Sequence, residues 1–233
     1  MKVDYSHLET AIPKDGWVIL GPGGGGCVHT LTVSPHRPDT LVVSCDMTAG
    51  YITHNGGQTW REFNLKSRQY AYAFDPVDPN TIYVGTTGLF RSEDNGDTWR
   101  LIFPDPKKVT GETRLNDEAN HSFISTDNWP GKSIHAILID PLNPNHLFII
   151  IKKDGPRQPA DDFYARIKQG LFLFTSTDRG RNWHKLAEMV EDQDIHLLAF
   201  DPASQVGMRT LYAFTERGIT RITAHGDMEV VPL

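Results

Sequence analysis

Cysteine is nearly absent, with only Cys27 and Cys45 in 233 residues. At most one disulfide can form. The pair flanks a single turn almost symmetrically about His36, so the two thiols are expected as neighbours on adjacent strands, where a bridge needs demanding geometry and an oxidising compartment. Long apolar runs are also lacking, so no stretch reads as a membrane span. The opening Met1-Lys2-Val3-Asp4-Tyr5 has no apolar signal-peptide core. There is no basic tract, and the net charge of −6 argues against general nucleic-acid binding. The glycine run ending at Gly26 is followed by no Gly-Lys-Ser/Thr, which excludes a phosphate loop and leaves a tight turn. No ligand spacing matches a metal motif, and no cofactor is implied.

Turn formers are plentiful, with 20 glycines and 15 prolines, and aromatic residues make up 10% of the chain. Both suit an all-β protein. One polar octapeptide recurs: Thr53-His54-Asn55-Gly56-Gly57-Gln58-Thr59-Trp60, then Ser92-Glu93-Asp94-Asn95-Gly96-Asp97-Thr98-Trp99, then Ser176-Thr177-Asp178-Arg179-Gly180-Arg181-Asn182-Trp183. Each follows a short apolar run. The Asp or Asn can accept hydrogen bonds from its own turn, the glycine supplies positive φ, and the tryptophan packs between sheets. This pattern resembles the Asp-box, or BNR, repeat of sialidase-like and xyloglucanase-like β-propellers. Asn55 for the Asp and Asn182 for the Thr are its mild departures.

Around the boxes the chain repeats a four-strand unit at a spacing of roughly forty residues, as propeller blades do. The blades fall at about 28–63, 71–103, 134–186 and 195–231, with insertions at 104–132 and 152–169. Asp-Pro turns begin at Asp75, Asp140 and Asp201. The fourth unit has Ala224-His225-Gly226-Asp227 where a box would stand. Asp-box propellers usually close with more than four blades, and an open one exposes strand edges and a core face. The expectation is therefore part of a larger propeller or assembly, with further chain or a subunit completing the ring.

Alternating strand direction sorts the loops into two faces. Asp boxes and Asp-Pro turns share one face and read as structural punctuation. The other carries Asp46-Met47-Thr48, the connection from Asn64 to Tyr70, Thr86-Thr87, both long insertions and Thr215-Glu216-Arg217. Long irregular loops on one side of a rigid scaffold are where sites lie.

On that face Asp46, at a strand end, reads either as a turn cap or as an acid/base carboxylate. Glycoside hydrolysis needs two such groups flanking the bond. The run from Gly23 to Thr30, followed by Asp46-Met47-Thr48-Ala49-Gly50-Tyr51, resembles the opening blade of family 74 glycoside hydrolases (the xyloglucanase type). That resemblance implies a catalytic role for Asp46, with Thr48-Ala49 standing where the family has a glycine pair. It is close over roughly the first quarter, and the family's second propeller, which carries the other catalytic acid, is not among these residues. It also favours an extracellular or periplasmic location. Asp117 or Glu118 in the first insertion could supply the second carboxylate, or with Glu112, Arg114 and His121 form a solvated loop or hold a divalent ion.

Lys152, Arg157, Arg166 and Arg217 are cations on the same face of an acidic protein, suited to an anionic glycan or to ordinary mixed-charge loops. Tyr51, Tyr70, Trp129 and Tyr164 could stack on sugars or belong to blade cores. His29 and His135 are read as buried and hydrogen-bonded. Asn120-His121-Ser122 is a glycosylation sequon. Three functions remain open: a glycoside hydrolase, or part of one, acting on a plant, algal or bacterial polysaccharide; a non-catalytic protein- or glycan-binding propeller resembling sortilin-type receptors or photosystem assembly factors; and a lyase acting on a uronic-acid glycan.

Overall fold

Short strands with one apolar face, punctuated every few residues by turn chemistry, build four separate four-stranded antiparallel sheets in the computed structural model. It describes residues 21, 27–114, 120–127, 129–130, 133–152, 170–189, 195–215 and 218–232. The first sheet is β1 (Val28–Val33), β2 (Leu41–Cys45), β3 (Ala49–Thr53) and β4 (Arg61–Asn64). The second is β5 (Ala71–Phe74), β6 (Ile82–Gly85), β7 (Leu89–Ser92) and β8 (Arg100–Phe103). A hairpin of β9 (Val109–Arg114) and β10 (His121–Ser125) intervenes. The third sheet is β11 (Ile134–Ile139), β12 (Leu147–Lys152), β13 (Leu171–Ser176) and β14 (His184–Met189). The fourth is β15 (Ile195–Phe200), β16 (Leu211–Thr215), β17 (Gly218–Ile222) and β18 (Met228–Val231). In every sheet the strands lie in chain order. These are blades of a partial β-propeller.

Apolar residues fill the seams between consecutive blades. Val42, Ile52 and Phe63 of the first meet Tyr72, Phe74, Ile82 and Val84 of the second. Tyr83, Leu89 and Phe103 meet Ile134, Ile149 and Phe174 of the third. Ile150, Leu171 and Leu173 meet Leu198, Leu211 and Ile222 of the fourth. Among the described residues no core cluster joins the fourth blade to the first.

The Asp boxes of the second and third blades fasten the first two seams. In the second blade the Asp94 carboxylate accepts from the Ser92 hydroxyl at 2.7 Å and the Thr98 amide at 2.8 Å. Asp178 does the same with Ser176 and Asn182, at 2.8 and 2.9 Å. Asn55 keeps the geometry with its amide oxygen, 2.9 Å from both the Thr53 hydroxyl and the Thr59 amide. The tryptophans closing the second and third boxes then reach back to the preceding blade. Trp99 stacks on Phe63 at 4.9 Å between ring centres, and Trp183 on Phe103 at 5.5 Å.

Three expectations are corrected. The first insertion is not irregular, since most of its described residues form the β9–β10 hairpin. Cys27 and Cys45 are free thiols. Val28, not Cys27, lies opposite Cys45, and side chains alternate along a strand, so the register turns the two thiols to opposite faces. Finally, His135 is exposed rather than buried, because it follows Ile134 on β11 and takes the opposite side of the strand.

Candidate functional site

The face opposite the Asp boxes is organised around the short link from β2 to β3. Asp46 opens that link and is half-buried. Its Oδ1 is buried and has no hydrogen-bond partner among the described residues. Leaving a buried carboxylate oxygen unmatched is costly, and such an atom calls for an explanation. The loop around it is held firmly. The Gln69 carboxamide donates to the Thr48 carbonyl at 2.8 Å, and the Asn64 amide donates to the Thr48 hydroxyl at 3.0 Å.

Gln69 belongs to the connection between the first two blades and is fully buried, also donating to the Ser67 carbonyl at 2.8 Å. The same connection seats the hairpin. The Asn120 carboxamide oxygen accepts from the Ser67 hydroxyl at 3.1 Å and the Arg68 amide at 2.6 Å. The His121 amide donates to the Lys66 carbonyl at 3.0 Å, and the Thr87 hydroxyl donates to the His121 carbonyl. Glu112 sits on the hairpin between two nitrogens, Lys66 Nζ and His121 Nδ1, each at 3.3 Å. Hydrogen bonds thus run from the Asp46 loop, through residues 66–69, to the hairpin. Asn120 is buried within that chain, so the sequon is closed to glycan attachment in the folded molecule.

The candidate residues fall in different places. His121 and Arg114 lie opposite each other on the hairpin. Trp129 is in the core, its ring edge-on to Phe103 at 5.0 Å, and offers no face to a sugar. Tyr51 lies mid-strand between Val43 and Glu62, on the side of the sheet away from Val42 and Ile52. Its phenol pKa is raised by burial first, then by Glu62 and Cys45. Lys152 ends β12, its amide donating to the Ser133 carbonyl at 2.9 Å. Asp117, Glu118, Arg157, Tyr164, Arg166 and Arg217 lie outside the described residues, as does the glycine run from 23 to 26. Among the described residues no group of His, Cys, Asp and Glu could hold a metal ion.

An aromatic surface survives elsewhere. Tyr70, just before β5, is half-buried and packs on His135 of β11 at 4.7 Å between ring centres. The Arg68 guanidinium lies 5.7 Å from the Tyr70 ring centre. Flat rings and a cation at strand beginnings are chemically suited to a sugar ring. The sequence places Gln69 and Asn120 on the loop face but carries no signal for their role, because an amide that braces a loop looks like any surface amide until the loop's partners are known.

The BNR/Asp-box repeat matches residues 51–62 and 174–185. The copy at 92–99 has the same hydrogen-bond geometry as these two. In sequence the chain is 26% identical to the xyloglucanase Xgh74A of Acetivibrio thermocellus over 78% of its own length and 20% of the relative's. It is 24% identical to a xyloglucanase of a Paenibacillus species, over 86% of this chain and 18% of that one. A probable oligoxyloglucan-reducing end-specific xyloglucanase of Neosartorya fischeri is 31% identical over 54% of the chain and 14% of the relative. Among solved structures, an ancestral GH74 enzyme superposes with a TM-score of 0.62 at 23% identity, covering 92% of this chain and 25% of that one. The GH74 xyloglucanase of Xanthomonas campestris gives 0.54 at 17% identity, over 87% and 31%. The chain spans about a fifth of the length of the first curated relatives it matches. It is an Asp-box repeat chain of partial β-propeller fold, distantly similar to family 74 xyloglucanases.

Proposed function

We propose that this chain is a portion of a carbohydrate-active propeller that hydrolyses a polysaccharide of the xyloglucan kind outside the cytoplasm, with Asp46 as an acid/base carboxylate. The observation that carries this reading is the buried, unpartnered Oδ1 of Asp46 on a braced loop at the site-bearing face. A carboxylate meant only to cap a turn would spend that oxygen on a backbone amide, as Asp75 does with the amides of Val77 and Asp78, both at 2.9 Å. The distant similarity to xyloglucanases supports the same class.

In this reading Asp46, protonated, gives its proton to the glycosidic oxygen as the bond to the leaving sugar breaks. A second carboxylate either activates water, at a separation of roughly 6.5–9.5 Å, or attacks the sugar directly, at roughly 5–5.5 Å. Asp117 and Glu118 are the candidates within this chain. Tyr70, Arg68 and His135 supply a surface for neighbouring sugars.

The test is reducing-end release from xyloglucan and a panel of neutral and uronic-acid polysaccharides, with Asp46→Asn beside the parent chain. Loss of hydrolysis by about a hundredfold or more with glycan binding retained supports the assignment. Equal hydrolysis by both chains removes it. Binding without hydrolysis in either chain favours a glycan-binding module.

A further inference from the structure

The seams between blades repeat a charge relationship that stops at the fourth blade. In the second blade, the Asp75 carboxylate of the first turn is fully buried and receives Arg179 from the third blade at 2.8 Å. In the third blade, the corresponding Asp140 is also fully buried and receives Arg209 from the fourth, with Nε at 2.6 Å and NH2 at 2.7 Å. Asp201 stands at the same place in the fourth blade. Its Oδ1 accepts from the Ala203 amide at 2.9 Å, but no cation reaches it among the described residues, and it is only half-buried.

The apolar residues tell the same story. Four residues before each aspartate begins a row that crosses the sheet and faces the next blade. In the second blade this row is Ala71, Gly85, Leu89 and Phe103; the three side chains lie in the core shared with the third, and Gly85 lies directly against Ile134 of that blade. In the third it is Ala136, Ile150, Leu173 and Ala187, packed in the core shared with the fourth. In the fourth it is Leu197, Phe214, Ile219 and Val231. None of these belongs to a core cluster, and Leu197 is 56% exposed.

We infer that this face of the fourth blade docks a further Asp-box blade that carries an arginine for Asp201. The arginine's two possible positions are defined by the pairs already formed. Arg179 follows the box aspartate, and Arg209 lies two residues before the second strand of its blade. The first blade has Gly56 and Asp39 at those positions, so a second copy of this chain, joined head to tail, would set a carboxylate against Asp201. The chain is consistent with itself here. Ser34 replaces the aspartate in the first blade, and the second blade has Asn95 and Asn80 where an arginine would answer it. This inference does not depend on the glycan reading.

The test appends a second copy of residues 190–231, with its own Arg209, after Leu233 and follows thermal unfolding. The extended chain is expected to melt higher. Asp201→Asn in its inner fourth blade, or Arg209→Met in the appended blade, should then lower Tm by about 5 °C or more, while Asp201→Asn in the unextended chain moves it by less than about 2 °C. An appended first blade should give a smaller rise that Asp201→Asn does not lower. An extended chain indifferent to Asp201→Asn overturns the inference, as does an unextended chain that loses as much from Asp201→Asn as from Asp140→Asn. A discrete dimer of the unextended chain in sedimentation, abolished by Leu197→Asp, overturns the choice of occupant.

Discussion

The buried Gln69 carboxamide donates to the Thr48 carbonyl at 2.8 Å, across the seam between the first two blades. The bond matters because Thr48 closes the three-residue link that Asp46 opens. Gln69→Leu strands the buried carbonyl of Ser67 and the half-buried one of Thr48 and should cost about 1–3 kcal/mol, read from urea midpoints. It should also weaken glycan binding, since the Asp46 loop loses its brace. Unchanged stability would mean that solvent satisfies both carbonyls.

A second prediction concerns Asp140 and Arg209. Burial would raise the Asp140 pKa, but hydrogen bonds from Arg209 and the Leu142 amide outweigh it and hold the carboxyl below its usual value. Arg209→Met leaves a buried carboxylate without its partner and should cost about 3–5 kcal/mol. The double variant Asp140→Leu with Arg209→Met should recover much of that loss. Denaturant unfolding of the three chains checks both statements.

Two glycines separate the cost of backbone from the cost of space. Gly207 and Gly226 both have positive φ, at 83° and 88°. A Cβ on Gly207 meets nothing within 4 Å, whereas one on Gly226 falls 2.1 Å from the Leu186 carbonyl oxygen. Gly207→Ala should cost about 1–2 kcal/mol, the left-handed penalty alone. Gly226→Ala should cost clearly more, because the backbone of the neighbouring blade must move. Equal midpoints for the two variants would contradict this.

Acid should loosen the box of the second blade. Hydrogen bonds from the Thr98 hydroxyl and amide, then from Ser92, hold the Asp94 carboxyl down at about 2, against an ordinary value of 3.8. A depressed carboxylate stabilises the fold above its unfolded value and loses that contribution as pH falls through its folded one. The loss attached to Asp94 therefore falls between about pH 4 and pH 2. Asp94→Asn should keep the fold at neutral pH, as Asn55 does in the first box, and flatten that part of the stability profile. Thermal melts of both chains across this range provide the check.

Much of the fold is legible in the sequence because its repeats are local. A box such as Ser92 to Trp99 makes its own hydrogen bonds within a few residues, so spacing alone reveals the turn and the strands on either side. The β9–β10 hairpin was not legible, because Thr110-Gly111-Glu112-Thr113-Arg114 has little apolar alternation and is held by contacts to Lys66 and Thr87 far away in the chain. Trp129 shows the same limit: its type fits a sugar platform or a core, and only the neighbouring Phe103 decides. That Asp46 opens the link from β2 to β3 is legible from the strand pattern, but the unmatched state of its Oδ1 depends on which donors the fold brings near.

The most direct measurement is a crystal structure of this chain with a xyloglucan oligosaccharide. The account predicts a sugar on the loop face with a glycosidic oxygen within about 3.2 Å of Asp46 Oδ1 and a ring against Tyr70. A sugar bound elsewhere, or an Asp46 Oδ1 occupied by a protein donor with the sugar in place, would contradict it.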